Sequence, residues 1–152
     1  IFGSATAVFK GCEIFSQNHI SDTAPAENTV NGWITAASTP EDVRHGYVFI
    51  DCTLTSNAPP QSIYLGRPWR NHAKVCFLNC WMGAHVKMEG WHNWNKPDAE
   101  TTVVYAEFNS KGPGAASTEE RVSWAKRLTE EEASEYTAAH ILSGVDGWLP
   151  FR

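Results

Sequence analysis

No cluster of lysine or arginine occurs anywhere in the 152 residues. Twelve basic residues face seventeen acidic ones, for a formal net charge of −5. Nucleic-acid binding needs clustered cations that neutralise phosphates, so nucleic acid is not expected as a partner. The same charge gives no general attraction for an acidic polysaccharide, which would have to be held by local contacts or have its charge masked. No apolar run approaches the roughly 20 residues that span a bilayer, and no membrane partner is expected. The four cysteines, Cys12, Cys52, Cys76 and Cys80, form no CxxC pair and have no histidine at zinc-finger spacing. Neither a metal nor a cofactor is expected. Charged residues make up only 19% and apolar ones 42%, the profile of a globular domain.

What is present is a repeat. Val8-Phe9-Lys10-Gly11-Cys12-Glu13-Ile14, Val48-Phe49-Ile50-Asp51-Cys52-Thr53-Leu54 and Cys76-Phe77-Leu78-Asn79-Cys80-Trp81-Met82 share one pattern. An aromatic is followed by Cys three residues later and by an aliphatic or Met two further on. Val104-Tyr105-Ala106-Glu107-Phe108 fits as a fourth copy if Phe108 replaces the Cys. The offsets are 40, 28 and 28 residues, and periods in this range point to a solenoid. Within each copy the period is two, so the copies are strands. One parity, Val48, Ile50, Cys52 and Leu54, then Cys76, Leu78, Cys80 and Met82, reads as the inner face. Phe9, Phe49, Phe77 and Tyr105 read as the outer one, and Lys10 breaks the rule.

A unit this short has no room for a strand-helix-strand crossover, yet it suits one coil of short strands. The expectation is all-β, a parallel β-helix, with Cys12, Cys52 and Cys80 in one internal column as free thiols. An antiparallel sandwich would show turn signals every 8–12 residues. Here the polar stretches are irregular, and Gln17 to Asn28 reads as an inserted loop. Lys111-Gly112-Pro113-Gly114 is a breaker. Beyond it, Thr129-Glu130-Glu131-Glu132 is a capping box that predicts a helix from Glu130 to Ala139. Coils are expected over about residues 1–112 and a capping helical tail over about 113–152. Trp124 and Trp148 are expected to anchor that tail. His19, His45, His85 and His140 show no paired spacing and read as surface or turn residues. Asp51 reads as a solvated strand position and Glu107 as a rung of the repeat.

The most specific segment is Tyr64-Leu65-Gly66-Arg67-Pro68-Trp69. Ile63 to Leu65 reads as a strand, Gly66 allows close backbone approach, and Pro68 ends the ladder. Arg67 and Trp69 are then held on a rigid rim, one a bidentate carboxylate binder and the other a stacking surface. Geometry alone leaves a structural cation–π pair as an equal alternative.

This hexapeptide resembles the signature of the pectin methylesterase (pectinesterase) family. The likeness continues in order through Ile1-Phe2-Gly3, Asn31-Gly32-Trp33-Ile34-Thr35-Ala36, Gly90-Trp91-His92-Asn93-Trp94, Tyr105-Ala106-Glu107-Phe108, Gly112-Pro113-Gly114-Ala115, Arg121-Val122-Ser123-Trp124 and Trp148-Leu149-Pro150. The resemblance implies a right-handed parallel β-helix and metal-free hydrolysis of the methyl esters of polygalacturonate. In that family one Asp attacks the ester carbonyl and a second acts as acid, then base. Glutamines stabilise the oxyanion, and an Arg hydrogen-bonds the nucleophile. Carried over by motif, that Arg is Arg67. Trp69, Phe2 and Trp94 match substrate-contacting positions.

Both catalytic Asp and the glutamines are expected upstream of Ile1, the nucleophile two residues before it. The chain is therefore expected to be the C-terminal half of a catalytic domain, inactive alone. The implied partner is pectin, or homogalacturonan, handled by a monomer that is secreted or periplasmic. Two other readings are open: a non-catalytic carbohydrate-binding β-helix, or another pectin-active β-helix enzyme such as a lyase or polygalacturonase. A lyase needs clustered carboxylates for calcium and a hydrolase a pair of Asp at the cleft. Neither pattern stands out.

Overall fold

The structure, a computed structural model, describes residues 1–20, 30–117, 119–143 and 148. The chain winds through three short strands per coil. The first coil holds β1 (Phe2–Gly3), β2 (Ala7–Lys10) and β3 (Glu13–Ser16); the second holds β4 (Gly32–Ala37), β5 (Tyr47–Ile50) and β6 (Thr53–Ser56). The third holds β7 (Ile63–Pro68), β8 (Lys74–Leu78) and β9 (Trp81–Met82). Then come β10 (Val104–Phe108), β11 (Lys126–Arg127), α1 (Glu130–Ser134) and α2 (Ala138–Leu142). Like strands stack on like in three sheets, ordered β1-β4-β7, β11-β10-β8-β5-β2 and β3-β6-β9. All the strand pairings are parallel. The architecture is a parallel β-helix, as the repeat predicts.

One residue per coil explains the odd Phe-to-Cys spacing. Gly11, Asp51, Asn79 and Asn109 each follow a strand of the five-stranded sheet and have φ of 62°, 54°, 53° and 47°. A left-handed residue turns the chain into the next sheet and resets which side faces in. Phe49 and Cys52, three apart, therefore both point inward. Asp51 is a turn residue and not a strand position. The side amides stack as well, with Asn109 Nδ2 donating to Asn79 Oδ1 at 3.0 Å.

The two faces of β5 and β8 are consequently the reverse of the parity reading. Phe49 and Phe77 are fully buried in the interior with Leu54, Leu65 and Met82. Phe9, Phe49 and Phe77 form a column, with ring centroids 4.8 and 4.4 Å apart and planes within 11°. Each such stack adds about 0.5–1.5 kcal/mol to the area it buries. Val48, Ile50, Cys76 and Leu78 lie on the outside, where Leu128, Ala133, Tyr136 and Ile141 of the tail cover them. Exposed Lys10 sits on that outer face, which removes its anomaly.

Cys12, Cys52 and Cys80 do form a column, and all four cysteines are free. The Cys52 thiol donates to Phe9 O and the Cys80 thiol to Phe49 O, each one coil back. Burial pushes the Cys80 thiol up to about 12, so it packs as a small apolar group.

The fourth copy is shifted by two residues. Glu107, not Tyr105, pairs with Phe77, and Phe108 pairs with Leu78. Glu107 thus enters the interior at the phenylalanine position. There Arg121 meets it bidentately, Nε to Oε1 at 2.8 Å and Nη2 to Oε2 at 3.0 Å. Trp91 Nε1 donates to Oε1 at 3.3 Å.

The predicted single helix is two. Thr129 and Glu132 close the capping box on α1. Thr137 then accepts from His140 N and starts α2 as a second N-cap. The Gln17–Asn28 loop lies mostly outside the described residues. His85 lies in a turn but is buried, and half-buried His45 packs edge-on against Tyr136 of the tail.

Candidate active site

The β1-β4-β7 sheet brings Phe2, Ala36 and Arg67 into one register. Gly66 precedes them at a tight point. A Cβ there would sit 2.3 Å from Thr35 Oγ1 and 3.1 Å from the buried Trp91 ring. The Thr35 hydroxyl is itself committed to Leu65 O at 2.9 Å. Gly66→Ala is expected to cost about 1–3 kcal/mol through overpacking, read as a lower urea midpoint. Thr35→Ala in the same chain is expected to recover part of it. A Gly66→Ala midpoint equal to the parent's would contradict this packing.

Arg67 emerges on the outer side between two indoles. Its guanidinium carbon lies 4.1 Å from the Trp33 ring centre and 4.3 Å from that of Trp94. Burial lowers the Arg67 pKa from the ordinary arginine value, and the group stays cationic. Its Nε is buried and has no hydrogen-bond partner among the described residues. An unanswered guanidinium N–H held rigidly by two rings is ready for an anionic acceptor.

The aromatic row runs on from there. Trp94 stacks on Trp69 at 5.0 Å, and Trp69 meets the exposed Phe2 ring edge-on at 4.8 Å. On the other side Trp33 stacks with Tyr64 at 6.4 Å, and His92 leans on both at 6.0 and 5.0 Å. All four residues predicted from sequence, Phe2, Arg67, Trp69 and Trp94, therefore meet in one place. The guanidinium, however, stacks on Trp33 and Trp94 and not on its chain neighbour Trp69.

Trp33, Tyr64, His92 and Lys96 are the members that motif reading passed over. Trp33 carried a signal, since β4 lies beside β7 in any stacked coil and Trp33 pairs with Tyr64. His72, by contrast, pairs with Glu41 at 3.5 Å.

The Trp94 loop is held by local bonds. Trp94 and Asn95 both adopt left-handed φ, 53° and 58°, which is costly for non-glycine residues. The Trp94 amide donates to His92 Nδ1 at 2.9 Å, and the Asn95 amide to Asn93 Oδ1 at 3.0 Å. Asn93 Nδ2 is anchored on Glu100 at 2.6 Å. Lys96 Nζ reaches back to Trp69 O at 2.7 Å and Pro68 O at 3.3 Å, fastening the loop onto β7.

Comparison with known proteins agrees with the fold and the motifs. The family described as Pectinesterase matches residues 1–145. Pectinesterase 31 of Arabidopsis thaliana is 34% identical over 137 residues, which cover 90% of this chain and 39% of that protein. A pectin methylesterase crystallised with a hexasaccharide superposes with a TM-score of 0.77 at 26% identity, over 99% of this chain and 48% of its own. The pectin methylesterase from Erwinia chrysanthemi gives a TM-score of 0.76 at 28% identity, with the same two coverages. The chain thus spans less than half the length of these relatives. The chain belongs to the pectinesterase family.

Proposed function

We propose that this chain forms one wall of the active site of an enzyme that hydrolyses methyl esters of polygalacturonate and releases methanol. The observation that carries the reading is the Arg67 guanidinium, clamped between Trp33 and Trp94 with its Nε unanswered. A carboxylate placed against it is kept ionised and in one rotamer, as an attacking nucleophile requires. The flanking rings suit a sugar polymer, because the C–H faces of pyranose rings stack on aromatic faces. Phe2, Trp69 and Trp94 supply that surface. A methyl-esterified uronate has no charge to repel a chain of net charge −5.

In this mechanism an Asp carboxylate attacks the ester carbonyl, and a second Asp protonates the departing methoxide. The second Asp then takes a proton from water, which cleaves the acyl-enzyme and regenerates the nucleophile. Both Asp, with the oxyanion-binding glutamines, come from sequence that precedes the Ile1-Phe2-Gly3 motif in the family. Arg67 orients the nucleophile and takes no proton. The parent protein is secreted or periplasmic, since its polymer is extracellular, and acts as a monomer.

The test is methanol release from highly esterified pectin. The 152-residue chain is expected to release none, and a protein that adds the upstream coils to release it steadily. Methanol production by the isolated chain would overturn the assignment of both carboxylates to the upstream segment.

A further inference from the structure

His92 has no assigned part in this chemistry, yet it holds the loop that closes on Arg67. Its Nδ1 accepts the Trp94 amide at 2.9 Å, so the ring is the neutral tautomer with its proton on Nε2. That bond fixes Trp94 at φ 53°, where a bulky residue is rarely found. The Trp94 ring in turn covers the guanidinium and stacks on Trp69. The chain of contacts runs from one imidazole nitrogen to both faces of the site.

We propose that His92 is a positioning residue whose neutral ring latches Trp94 onto Arg67, and that protonation of His92 releases this wall of the sugar-binding surface. The proposal rests on the pectin reading only for the identity of the ligand. A proton on Nδ1 would set one N–H against another, and the added charge would lie beside Arg67. Lys87 over Tyr64 and Lys96 over Trp94 add further positive charge nearby. Glu89, which adds to the burial that raises the pKa of Tyr64, and Glu100, bound to Asn93, are the anions on that side.

Burial, then Arg67, lowers the His92 pKa from its ordinary value of 6.5. A group with a depressed folded pKa keeps its contribution above the unfolded value and loses it as pH falls through the folded one. The latch is therefore closed at pH 7 and opens only below about 6.5.

Two measurements on the 152-residue chain decide it. Nitrogen-resolved NMR from pH 7.5 to 4.5 is expected to show the Trp94 amide moving with the same midpoint as the His92 ring. In parallel, affinity for a fully methyl-esterified hexagalacturonate, a ligand with no titrating group, is expected to fall about three- to tenfold in acid. His92→Asn keeps an acceptor for the amide two residues on, but cannot titrate. Whatever its affinity at pH 7, it should lose nothing in acid, whereas His92→Leu should be weak throughout. A Trp94 amide that stays still while His92 titrates would refute the latch, as would identical pH profiles for the parent and His92→Asn. Failure of every variant to bind the hexamer at any pH would sink the pectin reading, while the amide titration still decides the latch.

Discussion

Exchanging Arg121 for Met is expected to lower the unfolding free energy by about 3–5 kcal/mol. Domains of this size hold only about 5–15 kcal/mol in total, so this is a large part of it. The reason lies in what Arg121 leaves behind. Glu107 is 1% exposed and receives two guanidinium bonds. Without them it keeps only the long bond from Trp91 and must stay charged in an apolar coil or take up a proton. Arg121 also donates to Lys87 O, Met88 O and Gly114 O, at 3.0, 2.9 and 3.0 Å. Those carbonyls belong to the approach to the Trp94 loop and to the breaker before the tail, so one side chain ties three segments together.

Glu107→Gln is expected to cost less, because the three backbone bonds survive and Arg121 keeps one side-chain acceptor. The double variant Arg121→Met, Glu107→Leu should regain much of the single loss, since an apolar pair of similar volume avoids the desolvation of both charges. Urea unfolding of the parent, Arg121→Met, Glu107→Leu and the double variant gives the coupling directly. A single-variant loss under 1 kcal/mol, or strict additivity, would show that the pair contributes little.

That ion pair also marks where the sequence stopped being readable. The strands and the cysteine column followed from a repeat with offsets of 40, 28 and 28 residues, because stacked coils put like side chains above like. The inward face of β5 and β8 did not follow. A left-handed corner residue reverses the alternation, and nothing in a strict period of two reveals Asp51 or Asn79 as corners. Glu107 was missed for a related reason. Aligning Tyr105 with Phe77 looked natural because both are aromatic, but the ladder pairs Glu107 with Phe77. A carboxylate in a phenylalanine column becomes acceptable only with Arg121, fourteen residues further on.

The site shows the same division. Motifs gave Arg67, Trp69, Phe2 and Trp94, which lie on three separate segments. The stacking of β4 on β7 put Trp33 near the site but not over the guanidinium, and nothing indicated that His92 sets the backbone of Trp94. Those relations depend on how far a loop folds back, which long-range hydrogen bonds such as Lys96 to Trp69 O fix.

Arg67→Ala, placed in a longer protein that supplies the proposed pair of carboxylates, is expected to remove about 2–4 kcal/mol of transition-state stabilisation, or roughly 30- to 1,000-fold in rate. The loss should appear in kcat more than in KM, because in the proposed mechanism the guanidinium answers the nucleophile and not the sugar. Alanine also empties the space between Trp33 and Trp94, and collapse of the two rings would mimic a lost charge. Arg67→Met fills that space with an apolar chain and isolates the electrostatic part. Arg67→Lys restores the charge without the fork and should fall between Met and Arg. A second signature separates positioning from simple disruption. Without the guanidinium the attacking carboxylate becomes harder to ionise, so the acid limb of the pH–rate profile should move to higher pH in Arg67→Met and less in Arg67→Lys. A near-parental rate in Arg67→Met would leave the sandwich as a structural cation–π stack, and the search for the partner of the nucleophile would have to begin elsewhere on the wall.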